Sequence, residues 1–280
     1  MKTFFTKDLL RLILSVVLSL FICMGLFFTA VCADFIVFSN HKVLMSAIKS
    51  SNYTDIAVSQ ITEELNDLAI PSGLPEDFFT GKVYIEDFEK LFYPITENLI
   101  TGNNNFSVDV DGFKEHISTL VTDYSKNDVG DFSSEVARDI ENFSNECANI
   151  YLSYLNPSLS NYVFALLVSA KRYVTIAAAM FSLFTLVCIA VVFKMNSLRR
   201  FIKYCFVSVC GAALSVGVIP IYLIATNEIS KISISSMSLY ALVTTLIEQF
   251  LWIIIISACV LIFISLILLI IKIFGLIFRR

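Results

Sequence analysis

Four uncharged apolar runs divide this chain, at 12–33, 173–193, 204–227 and 249–271. Each is bracketed by charge: Arg11 and Asp34, Arg172 and Lys194, Lys203 and Glu228, Glu248 and Lys272. At about 1.5 Å per residue, helices of these lengths cover roughly 32 to 36 Å, slightly more than the ~30 Å hydrocarbon layer of a bilayer. The pattern predicts an all-α protein with four transmembrane helices.

Between the first two runs the apolar period becomes that of amphipathic helices. Val43, Leu44, Ala47 and Ile48 begin it, and Ile56, Ile61, Leu65 and Leu68 continue it behind a cap at Thr54 or Asp55. Ile70-Pro-Ser-Gly-Leu-Pro75 stops that helix, because two prolines around a glycine do not continue one. Phe88, Leu91, Phe92, Ile95 and Leu99 form the next face, with Pro94 bending it or opening a new segment. Phe113, Ile117, Leu120, Val121 and Tyr124 form another, and Val136, Ile140, Phe143, Cys147, Ile150 and Tyr154 form the longest. Asn156 and Pro157 suit an N-cap and a first helical position, so a new helix starts there and 158–170 should project as a stalk or lie at the interface. These segments make one helical domain of about 120 residues, enough for a single core. No strand-like alternation and no internal repeat stand out.

Composition turns this pattern into a location. With 57% apolar residues and 25 Phe among 280, the chain lies outside the soluble range. The formal charge of −4 conceals a segregation. Residues 34–172 hold 21 acidic and 9 basic side chains, whereas 1–11, 194–203 and 272–280 together hold ten basic and one acidic. Short basic segments beside spans stay cytoplasmic. The expected layout is therefore a cytoplasmic N-terminus (1–11), helix 12–33, an extracytoplasmic helical domain (34–157), a stalk with the second span (158–193) and a basic inner loop (194–203). Helix 204–227, an outer loop (228–247), helix 248–271 and a basic cytoplasmic C-terminus (272–280) complete a multi-pass cell-membrane protein. Lys2, Lys7 and Arg11 ahead of an apolar run ending Val31-Cys32-Ala33 also resemble a cleaved secretory signal. The 22 uncharged residues exceed the usual signal core of about 7 to 15, which favours an uncleaved anchor.

Candidate chemistry is sparse. Ser107, Asp109, Asp111 and Gly112 have part of a calcium-loop spacing, but position one is Ser107 and position twelve Ser118, which argues for a turn into the next helix instead. His41 and His116 lack partners at ligand spacing, and no phosphate loop, nucleophile elbow or HExxH occurs. Of seven cysteines only Cys147 falls in the helical domain, so no disulfide framework holds it, and Cys147 reads as a small apolar filler. Asn52, Asn105 and Asn142 head glycosylation sequons that matter only in a eukaryotic cell. Ionisable residues near membrane depth are the default functional candidates. Lys171, Arg172 and Glu248 fall in the outer headgroup zone by helix rise, where an interfacial ion pair between the second and fourth spans or contact with lipid phosphates accounts for them. In the third span Ser208, Gly211, Ala212, Ala213, Ser215 and Gly217 allow close helix approach, with Ala177, Ala178 and Ser182 of the second span as the natural counterpart. Pro220 is the candidate helix kink. Residues 229–247 read as an interfacial piece, and Trp252 as an interface anchor.

The layout, together with Ile70-Pro-Ser-Gly-Leu-Pro75, the Tyr151-to-Pro157 turn and Arg199-Arg-Phe-Ile-Lys-Tyr204, resembles a loose group of four-span membrane proteins of Gram-positive bacteria with a helical extracytoplasmic domain. That resemblance implies a cell-membrane location and brings no activity. In span order alone the chain is similar to FtsX/MacB-type permeases, which transmit movement between a cytoplasmic ATPase and an outer partner. Here the inner segments are short for an ATPase-docking surface. The expectation is a non-enzymatic membrane protein with no cofactor and no nucleic-acid partner. Its acidic outer domain binds a partner, ligand or envelope component, and its spans contact membrane lipids. An ABC-permease-like subunit partnered by an ATPase is the alternative.

Overall fold

The computed structural model describes residues 2–103, 109–128, 133–156 and 158–277, with side chains over 9–103, 109–127, 133–156 and 162–274. Among them the fold is all helix: α1 (Lys2–Phe38), α2 (His41–Ser50), α3 (Tyr53–Ala69), α4 (Ile85–Thr101), α5 (Asp111–Asp128), α6 (Ser134–Leu155), α7 (Ser158–Met195), α8 (Leu198–Ala225) and α9 (Met237–Ile277), with two short 3-10 turns. Four of these helices are long and apolar enough to span a membrane, over Leu9–Phe38, Tyr162–Met195, Leu198–Ala225 and Met237–Phe274. α1, α7 and α9 continue well past the charges that bracket their apolar runs. A lone charge costs a helix little when its backbone bonds are already made within the segment.

The chain forms two compact units. The first comprises 1–47, 169–233 and 243–280 and contains the greater part of the four long helices. α1 is its hub. Ser19 and Cys23 lie against Ser208 and Gly211 of α8, Gly25 against Thr185 of α7, and Phe38 against Phe250 of α9. A Cβ at Gly25 would overlap the Thr185 hydroxyl, so glycine is what permits that approach. Ile22, Cys188 and Val192 form a small core, with Leu18, Leu26 and Phe201 packed on it. Sequence spacing paired the small residues of α8 with Ala177, Ala178 and Ser182, but the tight partner of α8 is α1. Ser15, Ser19 and Cys23 recur every four residues on α1; Ser19 and Cys23 meet the small face of α8, and Ser15 accepts from Asn196 in the turn before it. Gly217 of α8 faces Ala258 of α9, its ideal Cβ position 3.2 Å from that methyl.

The second unit comprises 48–168 and 234–242. Its core is aromatic: Tyr53 stacks on Phe92 at 4.7 Å, Phe88 on Phe92 at 5.6 Å, and Phe79 on Phe143 at 6.1 Å between centroids. Several local expectations are corrected here. α3 starts at Tyr53 behind a left-handed Asn52 (φ 53°), so neither Thr54 nor Asp55 caps it; Thr54 is buried and donates to Glu89. Pro94 neither starts a segment nor ends one, because α4 runs through it from Ile85 to Thr101. The buried stripe of α6 ends on Tyr151 and Leu155, since the 3.6-residue period carries the face past Ile150 and Tyr154. Residues expected as a stalk are partly enclosed: Phe164 and Leu167 are buried, and Gly102 approaches Val168. Ile234–Leu242, read as an interfacial piece, belongs to this unit, where the Ser238 N–H donates to Gln60 at 3.0 Å and Leu242 is buried. Asn105, Ser107 and Pro157 lie outside the described residues.

Candidate functional site

A cleft of about 410 Å³ opens in the second unit between the start of α4, the start of α5 and α6. Its floor is Tyr151, whose ring stacks on Phe113 at 3.9 Å and meets Phe88 edge-on at 5.5 Å. Tyr151 is 2% exposed and lines the cleft; its hydroxyl makes no hydrogen bond among the described residues, and it is not one of the enclosed unpartnered atoms, which are Asp34 Oδ2 and Ser39 Oγ. A phenol hydroxyl in the lining of a cleft is available to bond water or the polar atom of a ligand. Burial, and secondarily the charge of Asp87, push this phenol above the ordinary tyrosine range, so it stays a neutral donor. Around it stand Asp87, paired with Lys90 at 2.7 Å, and His116, whose Nε2 lies 3.3 Å from the Lys82 carbonyl oxygen. Lys82 places its ammonium 3.5 Å from the Phe78 ring centroid, and desolvation lowers its pKa. Gly112 lines the same cleft with open space where a side chain would project.

Asp109 of the calcium-like spacing accepts from the Asp111 N–H at 2.9 Å, the bond of a turn entering α5. In the sequence His116 is a solitary imidazole. What makes it part of a cleft is α5 packing on α6, with Phe113, one turn earlier, on Tyr151. Cys147 is fully buried on the α6 stripe, and burial first, then Glu146, pushes its thiol up to about 12.

The first unit holds a second cleft, of about 470 Å³, where Arg11 of α1 meets Arg200, Lys203 and Tyr204 of α8 and Asn196 of the α7–α8 turn. Asn196 is held in place: its Nδ2 donates to Ser15 at 2.8 Å and to the Val192 carbonyl at 3.1 Å. A buried acid also lies in this unit. Asp34, inside the apolar helix α1, is 5% exposed; Ser257 of α9 bonds its carboxyl, and Oδ2 has no partner.

Lys171 and Arg172 on α7 and Glu248 on α9 are all exposed. No ion pair joins them among the described residues, and Lys171 reaches the Ser39 carbonyl oxygen at 3.4 Å. Pro220 is buried, and α8 is one helix through it. The sequence reading missed Asp34, treated only as a boundary, and Asn196, an amide in a basic turn. The signal available for Asp34 was an acid followed by four more apolar residues before the first polar break. No family model, curated protein or solved structure matches this chain.

Proposed function

We propose that this is a four-span membrane-anchored binding protein whose acidic helical unit faces outward and takes its ligand in the Tyr151 cleft. The observation that carries the reading is Tyr151, an almost fully enclosed ring whose hydroxyl makes no hydrogen bond within the described protein, in an aromatic-walled cleft that has charges of both signs at its rim. Such a cleft suits a flat apolar group with one polar atom for Tyr151 and a polar remainder for Lys82, Asp87 and Lys90. The outward orientation is supported by the basic segments 1–11, 194–203 and 272–280, which favour one cytoplasmic side. It is also supported by Ile234–Leu242, the segment that leads into the fourth apolar helix together with its first residues, joining the same unit as 48–168.

The binding test uses the full chain in lipid nanodiscs with indole and phenol as probes in ligand-observed NMR. Saturation transfer to indole is expected, and Gly112→Phe, which fills the cleft where no atom now stands, should abolish it. Equal transfer in the two proteins would remove the cleft from the argument. For orientation, an epitope inserted at the exposed 73–76 turn should be reached by antibody on intact cells, and a C-terminal tag only after permeabilisation. The reverse pattern would place the helical unit inside.

A permease-like subunit is the second reading, and Asp34 is what favours it. An acid buried in an apolar helix with one unpartnered oxygen is expensive, and such groups are retained where ions or protons pass. Asp34→Asn would abolish flux or ATPase coupling in a permease and leave probe binding by the helical unit unaltered.

A further inference from the structure

We propose that the cleft formed by Arg11, Asn196, Arg200, Lys203 and Tyr204 is a site for the phosphate of an anionic glycerophospholipid. Basic residues beside a span require no site in themselves, since positive-inside bias scatters them. The distinguishing feature here is convergence. Arg11 and Arg200 belong to different helices, yet both line one cleft of about 470 Å³ together with Lys203, and no acidic side chain lines it among the described residues. Three cations around one concavity repel one another, and a phosphodiester removes that repulsion.

The convergence is built by neutral bonds behind the cleft. Ser15, one turn after Arg11, donates to the Arg11 carbonyl at 2.8 Å and accepts from Asn196. One turn further along α1, Ser19 bonds Ser208, one turn after Tyr204 on α8. The spacing of the two arginines is thus fixed by the α1–α8 seam. Arg11 and Arg200 supply planar donors suited to phosphate oxygens, and Lys203 supplies a point charge.

A free phosphate would satisfy the same cations. The lipid is favoured by the neighbouring wall, where Leu9 (50% exposed) and Leu12 (55% exposed) sit on an apolar spanning helix and offer a track for acyl chains.

The test is native mass spectrometry of the full chain in mild detergent with added phosphatidylglycerol, phosphatidylcholine or inorganic phosphate. Phosphatidylglycerol should be retained preferentially, and retention should fall roughly fivefold for each charge removed in Arg200→Gln and Lys203→Gln. Arg200→Lys should retain most binding and shows that the fold survives change at that position. Arg199→Gln, a neighbouring charge outside the cleft, should leave retention unchanged. Equal retention of phosphatidylcholine, or an equal loss in Arg199→Gln, would overturn the site in favour of unspecific surface charge. Displacement of the lipid by equimolar inorganic phosphate would reassign it to a free anion.

Discussion

The hydroxyl oxygens of Ser19 and Ser208 lie 2.8 Å apart although 189 residues separate them in the chain. Ser208 also donates to the Ser19 carbonyl oxygen at 2.7 Å, so the Ser19 hydroxyl is left to donate to Ser208. Both side chains are buried between α1 and α8, and their small size lets the two backbones approach. One helical turn along, the same seam brings Cys23 Sγ to 3.1 Å from where a Cβ at Gly211 would stand.

That separation is what an S–S bond of about 2.05 Å produces between one sulfur and the partner Cβ. Gly211→Cys, with Cys32, Cys188, Cys205, Cys210 and Cys259 replaced by alanine, should therefore cross-link to Cys23 under mild oxidant. After cleavage at a protease site inserted in the exposed 73–76 turn, the two fragments would migrate together until reduced. Fragments that separate without reductant would refute the α1–α8 pairing. Ser208→Ala alone should cost only about 0.6 kcal/mol, a typical value for one hydrogen bond between membrane helices.

Two buried tyrosines should respond unequally to loss of their hydroxyls. Tyr53 donates to the Tyr154 carbonyl at 2.6 Å, and Tyr53→Phe should destabilise the protein by about 1 kcal/mol. Tyr151 has no such partner among the described residues, so Tyr151→Phe should leave stability within about 0.5 kcal/mol while weakening any ligand that uses the cleft. Thermal midpoints of the two variants in one detergent compare them directly. A larger loss for Tyr151→Phe would mean that its hydroxyl is already satisfied.

Alkaline pH should destabilise the helical unit through Cys147. Its thiol is raised from 9.0 to about 12 by burial, so the folded state holds the proton more tightly than the unfolded one. The associated stability is complete below about pH 9 and is lost as pH rises towards 12. Tyr53, Tyr151 and Tyr154 are raised as well and add to the fall above pH 10. Cys147→Ala should flatten the pH dependence between 9 and 10, read as the shift of the thermal midpoint. An identical slope in the variant would assign the dependence elsewhere.

Asp34 should be a stability cost. Replacing it with Asn removes the buried charge and keeps a partner for Ser257, so Asp34→Asn should raise the thermal midpoint in detergent. A lowered midpoint would show that the carboxylate is paired in the membrane-embedded protein.

What the sequence determined by itself is what depends on local length and period. Four apolar runs of bilayer length yield four long apolar helices, and the 3.6-residue stripe from Ile140 to Cys147 is a buried face of α6, because helices satisfy their backbones within one segment. The stops also belong here: Ile70-Pro71 ends α3, and Gly73 takes the left-handed turn (φ 77°) that a side chain would resist. Pro94 shows the limit of such rules, since a helix packed on both sides of it through Phe88, Phe92 and Ile95 continues despite one lost bond. Only the tertiary structure decided which faces meet. Small residues on α8 announce a close neighbour without naming it, and the choice of α1 over α7 rests on shape and hydrogen bonding between segments nearly two hundred residues apart. The same holds for Arg11 beside Arg200, for Tyr151 under Phe113, and for Asp34 beside Ser257. Each is a contact whose energy depends on two distant stretches at once, which no single window of sequence contains.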